Sequence, residues 1–359
     1  MKKNVLAVLM AMALTATLAA CFGSSGNDIP KPQNDTAAAS VGLSSDPVRP
    51  KPVVEKEQEK VKKHSDGSAY KAVFVTQSMS NPSQNFSWNE FKRLMGNYGF
   101  DMIQISGESE PQVEVAGIEQ AIAEGFDAIF CNPSDPNAAI PALKRAREAG
   151  IVVGMFSSLL PDGNDDAFDF FVGSDDYLGG ILAGEFVSAR FPNGANFVEV
   201  GGQAGHDAQV KRAAGFRAGI APNIIELDSQ NCPGGWNGHE ALSIMEDFLV
   251  RHGDNIDIVW CHWDNGASSV IEAIEAAGMT ANADNGIFVI GVDGNSTGYK
   301  QVLDGVQALS VGQSFTKMAE KSLENAKKML EGATVDRINI IPMDMVTTDN
   351  VLKLQWPDW

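Results

Sequence analysis

The sequence predicts an α/β protein of two doubly wound parallel-sheet lobes. Three observations carry this. From Tyr70 onward, short and continuously apolar strands alternate with amphipathic helices, the pattern of a parallel sheet covered on both faces. The alternation runs through two successive sets of similar size. About 290 residues hold the two sets, a length that suits two ordinary domains.

The first set opens with the strand Ala72-Val73-Phe74-Val75 and a helix over Ser83 to Tyr98. Asp101 to Ile105 is the next strand. A helix follows over Pro111 to Glu124, with Val113, Val115, Ile118 and Ile122 close to helical spacing. Asp127 to Cys131 is a strand, Asn137 to Ala149 a helix, and Ile151 to Phe156 a strand ending at Ser157 and Ser158.

The pattern then restarts with Phe170-Phe171-Val172-Gly173 and the helix Tyr177 to Arg190. Strands at Phe197–Val200, Ile224–Leu227, Ile256–Trp260, Ile287–Val292 and Ala308–Val311 precede helices at Ala208–Gly219, Gly238–Val250, Ala267–Ala277, Thr297–Asp304 and Thr316–Leu330.

Ahead of the lobes stands a different kind of chain. Lys2 and Lys3 precede the apolar run Val5 to Ala20, which reads as a signal peptide over residues 1–20. Leu18-Ala19-Ala20-Cys21 resembles the bacterial lipobox, which implies cleavage before Cys21 and lipidation of its thiol. No other long apolar run follows, so no membrane span is expected. Residues 21–69 form the lipidated Cys and a tether rich in Pro, Ser, Asn and Lys. Such a chain buries too little apolar surface to offset ordering entropy, and its coil would reach about 40 Å.

The formal net charge is −19. The tether balances seven Lys and Arg against seven Asp and Glu, so the acidity lies in the lobes. That surface repels nucleic acid and anionic lipid. Beyond Cys21 there are Cys131, Cys232 and Cys261, with no C-x-x-C spacing and hence no zinc signature. Either one disulfide, Cys232 with Cys261, or three free thiols fits an oxidising compartment.

Ligands of doubly wound sheets bind beyond the carboxyl ends of the strands. Those positions hold Gln77 to Pro82, then Phe86 and Trp88, then Ser157 and Ser158. In the second set they hold His206-Asp207, Trp236-Asn237, His262-Trp263-Asp264-Asn265, Asp293 and Gln313. Aromatics, amides and carboxylates in this mixture suit a sugar, with rings over C–H faces and polar groups on hydroxyls. Taken singly, Asp207, Asp264 and Asn295 also read as helix N-caps. Trp260 reads as core. Trp236 follows Pro233-Gly234-Gly235, a turn with no obvious core for a large ring to fill.

Residues 70 to about 350 resemble the type I periplasmic binding proteins of the ribose- and galactose-binding family. The markers are Ser80-Asn81-Pro82, Asp127-Ala128-Ile129 with Asn132-Pro133, Gly173-Ser174-Asp175 with Gly179-Gly180, Arg212 with Gly215-Phe216, and Val289 to Gly294. The resemblance implies two lobes joined by a three-crossing hinge. Their bounds are residues 70–173 plus 314–342, and residues 174–313 plus 343–359. It also implies sugar capture in the cleft and delivery to an ABC permease or a membrane sensor.

Among site residues, Asn81, Asp293 and Gln313 match the family's ligand-contacting Asn, Asp and Gln, and Trp236 falls where an aromatic stacks on the sugar. Other positions depart. Ser157-Ser158 replace an Asp-Arg pair, Val210 replaces an Arg, Trp263 replaces the Asn beside Asp264, and Phe86 or Trp88 stands in for paired aromatics. Without those multi-donor Arg forks, the cleft suits a less densely gripped sugar, a glycoside or a disaccharide rather than plain ribose.

Enzymatic readings fail on spacing. Gly294-Asn295-Ser296-Thr297-Gly298 matches G-x-S-x-G, but every His precedes Ser296, against the hydrolase triad order. No P-loop or G-x-G-x-x-G occurs. Asp162-x-Asn164-x-Asp166 lacks the turn Gly and closing Glu of a calcium loop. The expectation is therefore a monomeric extracytoplasmic lipoprotein, lipid-anchored to the cell membrane on its outer face or in the periplasm, with no catalysis, cofactor or metal. The alternative is a ligand-sensing lipoprotein for an autoinducer-2-like molecule or a nucleoside.

Overall fold

A computed structural model describes His64, residues 66–357 and Trp359. The expected signal peptide, Cys21 and the tether up to residue 63 lie outside these residues. The last of the expected tether is docked rather than loose. His64 Nε2 is 3.1 Å from Asp127 Oδ2, and its ring lies 4.6 Å from that of Tyr70.

In chain order the first set comprises β1 (Tyr70–Thr76), α1 (Pro82–Tyr98), β2 (Phe100–Ser106), α2 (Pro111–Ala123), β3 (Ala128–Asn132), α3 (Pro136–Glu148), β4 (Val152–Phe156) and β5 (Phe170–Gly173). The second comprises α4 (Asp176–Arg190), β6 (Ala195–Gln203), α5 (Asp207–Gly219), β7 (Ile224–Cys232), α6 (Gly238–His252), β8 (Ile258–Cys261), α7 (Asp264–Ala276), β9 (Phe288–Asp293), α8 (Ser296–Leu303) and β10 (Leu309–Gly312). The chain ends with α9 (Phe315–Leu330), β11 (Ile338–Ile340) and β12 (Asp344–Thr347).

These strands make two six-stranded sheets, ordered β11-β5-β4-β3-β1-β2 and β12-β10-β9-β8-β6-β7. All pairs are parallel except the antiparallel β10–β12. By βα count, Phe170–Gly173 opens the second set. The structure instead pairs it with β4 and β11 in the first sheet. Two short strands escaped the sequence: β11 and β12 have mixed exposure and only three and four residues, too little for a periodic signal.

The continuous apolar strands have the expected cause. Ala72 and Phe74 face one core layer while Val73 and Val75 face another. Likewise Ile258 and Trp260 lie under α4 and α5, and Val259 and Cys261 under α6 and α7. Trp260 is fully buried, as expected.

Three chain passages join the sheets: β5 to α4, β10 to α9, and β11 to β12. The C-terminus returns to the first lobe, where Trp359 stacks on Phe86 at 5.3 Å and meets Phe315 at 5.0 Å.

Cys131, Cys232 and Cys261 are buried free thiols, so the Cys232–Cys261 option is corrected. Cys232 ends β7 and Cys261 ends β8, with β6 between them. Two strand spacings put their backbones more than about 9 Å apart, beyond the roughly 7 Å that a disulfide tolerates.

Candidate functional site

In each sheet the strand order reverses between the first strand and its neighbours, at β1/β3 and at β6/β8. Side chains leaving the carboxyl ends there converge between the lobes, as such switch points require. Gln77 follows β1, Asn132 ends β3, His206 follows β6 and Trp263 follows β8, and all four line one interlobe cavity. Asn81, Ser157, Arg212, Trp236, Asp293 and Gln313 complete its chemically distinctive wall.

Asp293 ends β9 with φ at +118°, and Ser157 has φ at +63°. Non-glycine residues in this region are strained, and strain of this kind gathers at functional sites. Two hydrogen bonds from Gln313 fix Asp293. Gln313 N donates to its carbonyl at 2.8 Å, and Gln313 Nε2 donates to Oδ1 at 3.1 Å. The following Gly294 must be glycine: its φ is +66°, and a Cβ there would lie 2.5 Å from Gly312 Cα. Burial, set against the nearby Arg212 cation, holds the Asp293 carboxyl well above the usual carboxylate range.

Trp236 packs over Gly202, where a Cβ would come within 2.2 Å of the indole. Its ring meets Trp263 edge-on at 5.6 Å and His206 at 5.5 Å, with the Arg212 guanidinium 5.4 Å from its centroid. Arg212 is itself clamped. Its Nε donates to Asp176 at 2.7 Å and its Nη1 to the His262 carbonyl at 2.5 Å.

The lobes touch directly across the cleft. Gln77 Nε2 donates to His206 Nε2 at 2.7 Å, which leaves the imidazole proton on Nδ1. Gln203 Nε2 donates to the Ser134 carbonyl at 3.1 Å, and Leu159 N to Asp207 Oδ2 at 3.1 Å. Burial, aided by Arg212 and Lys211, drives the His206 pKa down to about 3, so the ring is neutral. His206 Nδ1 and Gln313 Oε1 are buried without a protein partner, one donor and one acceptor on the wall of a single cavity.

Asn81, Ser157, Trp236, Trp263, Asp293 and Gln313 therefore come together, with Asn81 also capping α1 through Ser83 N at 3.0 Å. Five other candidates stand off the cavity wall. Phe86 and Trp88 pack on the first lobe's core, Phe86 against Trp359. Ser158 is wholly buried. Asp207 pairs with Lys211 at 2.8 Å and bridges to the other lobe.

Asp264 is a buried clasp. It accepts from Gly294 N at 2.8 Å, Asn295 N at 3.3 Å, Ser310 Oγ at 2.7 Å and Gln307 Nε2 at 2.8 Å. Neither Asp207 nor Asp264 is an N-cap, since His206 and Trp263 hold those positions. Asn295 does cap α8, accepting from Gly298 N at 2.8 Å.

Sequence reasoning also undervalued four cavity residues. Arg212 counted only as a family marker, yet it lines the cleft, while Val210 is half exposed to solvent. The cleft is therefore not free of arginine. Gln77, Asn132 and His206 sit directly at strand ends, a signal available in the sequence but not specific to any one of them.

Two α/β lobes, three crossings and a polar, aromatic cleft at paired switch points define a two-lobed small-molecule binding protein. The chain belongs to the family described as periplasmic binding protein domain, whose model matches residues 72–334. This agrees with the resemblance drawn from the sequence.

The ribose import binding protein of Escherichia coli (strain K12) is 27% identical over 263 residues, covering 73% of this chain and 86% of that protein. The D-xylose-binding periplasmic protein of the same organism is 25% identical, covering 67% of this chain and 72% of its own length. Among solved structures, a galactofuranose binding protein superimposes with a TM-score of 0.74 at 24% identity, covering 79% of this chain and 96% of that one. An ABC transporter solute binding protein from Bacillus halodurans C-125 with bound myo-inositol gives 0.74 at 24% identity, covering 80% and 98%. At that identity the structures establish the fold, type I periplasmic binding protein.

Proposed function

We propose that the protein is an extracytoplasmic substrate-binding lipoprotein that captures a sugar or sugar-like molecule between its lobes and hands it to an ABC permease. The observation that carries this is the interlobe cavity. There Asp293 is held in a strained conformation beside Trp236, with unpaired His206 Nδ1 and Gln313 Oε1 on the same wall. Convergent single donors and acceptors around an aromatic face match a polyol. The relatives named for ribose and xylose, and the fold neighbours named for galactofuranose and myo-inositol, support the same ligand class.

In this reading residues 70–173 with 314–342 form one lobe, and residues 174–313 with 343–359 the other, whose last residue, Trp359, reaches back to pack on the first lobe. Asn81, Ser157, Trp236, Trp263, Asp293 and Gln313 contact the ligand. Asp264 and Asp207 act indirectly, the first by holding the Asp293 loop and the second by bridging the lobes. Cys21 carries the lipid, and the protein works as a monomer without cofactor or catalysis.

A thermal-shift screen of a soluble form beginning after Cys21, against pentoses, hexoses, inositols and nucleosides, tests the ligand class. Sugars or polyols should raise the melting temperature by mass action. Stabilisation by nucleosides alone would overturn the sugar reading.

A further inference from the structure

The segment after β12 bears on both lobes. As far as Trp356 it belongs to the second. β12 pairs with β10, Val351 is buried with Tyr299, Val302 and Val346, and the Trp356 ring meets Tyr299 at 5.6 Å. The Trp356 indole Nε1 donates to the Val351 carbonyl at 3.1 Å. Trp359 then divides between the lobes. Its main-chain oxygen accepts from the amide of Ser296, the first residue of α8, at 2.5 Å. Its ring lies on the first lobe, stacked on Phe86 of α1 and edge-on to Phe315 of α9.

Each foothold adjoins the cavity. Ser296 follows Asp293 by three residues. Asp264 Oδ2 takes the Gly294 and Asn295 amides and Trp359 takes the next, so three successive amides of this loop are engaged. On the other side, Phe315 itself lines the cavity, and so does Gln84, two residues before Phe86. Asp264 and its partners all belong to the second lobe. Trp359 instead fastens the same loop to the first lobe.

Two contacts that reach opposite lobes resist rotation between them. A hydrogen bond weakens steeply once stretched or bent, and ring pairs interact only within about 7 Å between centroids. Turning one lobe against the other must break the Ser296 bond or part the indole from its neighbours. The arrangement so held is the one in which Leu159 N reaches Asp207 Oδ2 and Gln77 reaches His206 across the cleft.

We infer that Trp359 is a positioning residue for binding, which clips the Asp293 loop to the first lobe and biases the lobes toward closure. It acts through Ser296, Phe86 and Phe315 rather than on a ligand. A larger closed fraction raises apparent affinity in proportion. The clip acts on lobe geometry and does not depend on the ligand being a sugar.

Hydrogen exchange resolved by residue, on the ligand-free soluble form beginning after Cys21, tests the clip. The Leu159 amide reports contact between the lobes. The Val153 amide, held by Asp169 Oδ2 at 2.8 Å inside the first lobe, reports opening of that lobe itself. Trp359→Ala should speed exchange at Leu159 about tenfold relative to Val153, the worth of the two ring contacts. Trp359→Phe should restore part of the protection. Trp88→Ala, which takes an indole from the same first-lobe core, should leave the ratio of the two rates unchanged. If Trp359→Ala speeds both amides by the same factor, Trp359 only stabilises the fold and the clip is refuted. Faster exchange at Ser296 with Leu159 unchanged would refute it too, as a purely local contact. Should Trp359→Ala not fold, Trp359→Leu, which keeps apolar volume without a ring to stack, carries the same comparison.

Discussion

Gln77 and His206 meet across the interlobe cleft through one hydrogen bond of 2.7 Å, and both side chains are buried. The contact requires a neutral imidazole, because Gln77 donates to Nε2. Protonating His206 would set two donors against each other in a site that already disfavours charge. Its folded-state pKa, about 3, lies below the ordinary histidine value. As pH falls through the ordinary value, the unfolded chain takes up a proton that the folded chain refuses, so stability declines between that value and about 3. Urea unfolding across this range should show the decline, and His206→Gln should flatten it.

Asp264 should prove to be structural first and functional second. Asp264→Ala leaves the Gly294 and Asn295 amides, the Ser310 hydroxyl and the Gln307 amide without their common acceptor. Stranding buried polar groups costs about 1–3 kcal/mol each at most sites, so a loss of about 3 kcal/mol or more is expected in urea unfolding. Ligand affinity should fall as well, because the same carboxylate fixes the loop that presents Asp293. An unchanged unfolding midpoint would refute the clasp.

Asp293 should titrate in the unliganded protein above the usual carboxylate range, because burial outweighs the pull of Arg212. Sugar hydroxyls donating to the carboxylate favour its charged form. Binding should therefore release a proton, and affinity should rise with pH across the neutral range. Calorimetry in buffers of different ionisation enthalpy measures the release directly. Asp293→Asn should abolish it and weaken binding about tenfold or more, the worth of a charge-assisted hydrogen bond. The sign for stability is opposite. A raised carboxyl pKa contributes stability that is fully present below the unfolded value and lost as pH rises through the folded one.

Trp236 should carry the stacking contribution. Trp236→Ala removes a ring held over Gly202 and braced by Trp263 and His206. Such aromatic contacts are worth about 0.5–1.5 kcal/mol beyond buried area. A several-fold or greater loss of affinity is expected, and equal affinity in wild type and variant would remove Trp236 from the site. Trp236→Phe should recover part of the loss.

The lipidation proposed for Cys21 should govern where the protein resides. In a bacterial host the wild-type chain should fractionate with membranes and carry a diacylglycerol mass increment on its amino-terminal peptide. Cys21→Ser should appear in the soluble extracytoplasmic fraction, and its retention on membranes without a lipid would disprove the anchor.

Local pattern by itself determined most of the architecture. Apolar runs such as Ala72–Val75 and Val289–Val292 become buried parallel strands because helices cover both sheet faces, and that requirement is written residue by residue. The strand-end rule likewise brought Asn81, Trp236, Asp293 and Gln313 forward from sequence. Only the tertiary structure decided which polar residues reach the cavity. Asp264 and Asp293 look alike in sequence, each a strand-end acid near a glycine, yet one faces four backbone and side-chain donors and the other faces the cleft. Arg212 and Val210 sit two positions apart on one helix. The helical turn buries the first against Trp236 and exposes the second. Partner choice across distant segments is a long-range property, and a strand-end acid carries no local mark of whether a donor 30 residues away will claim it.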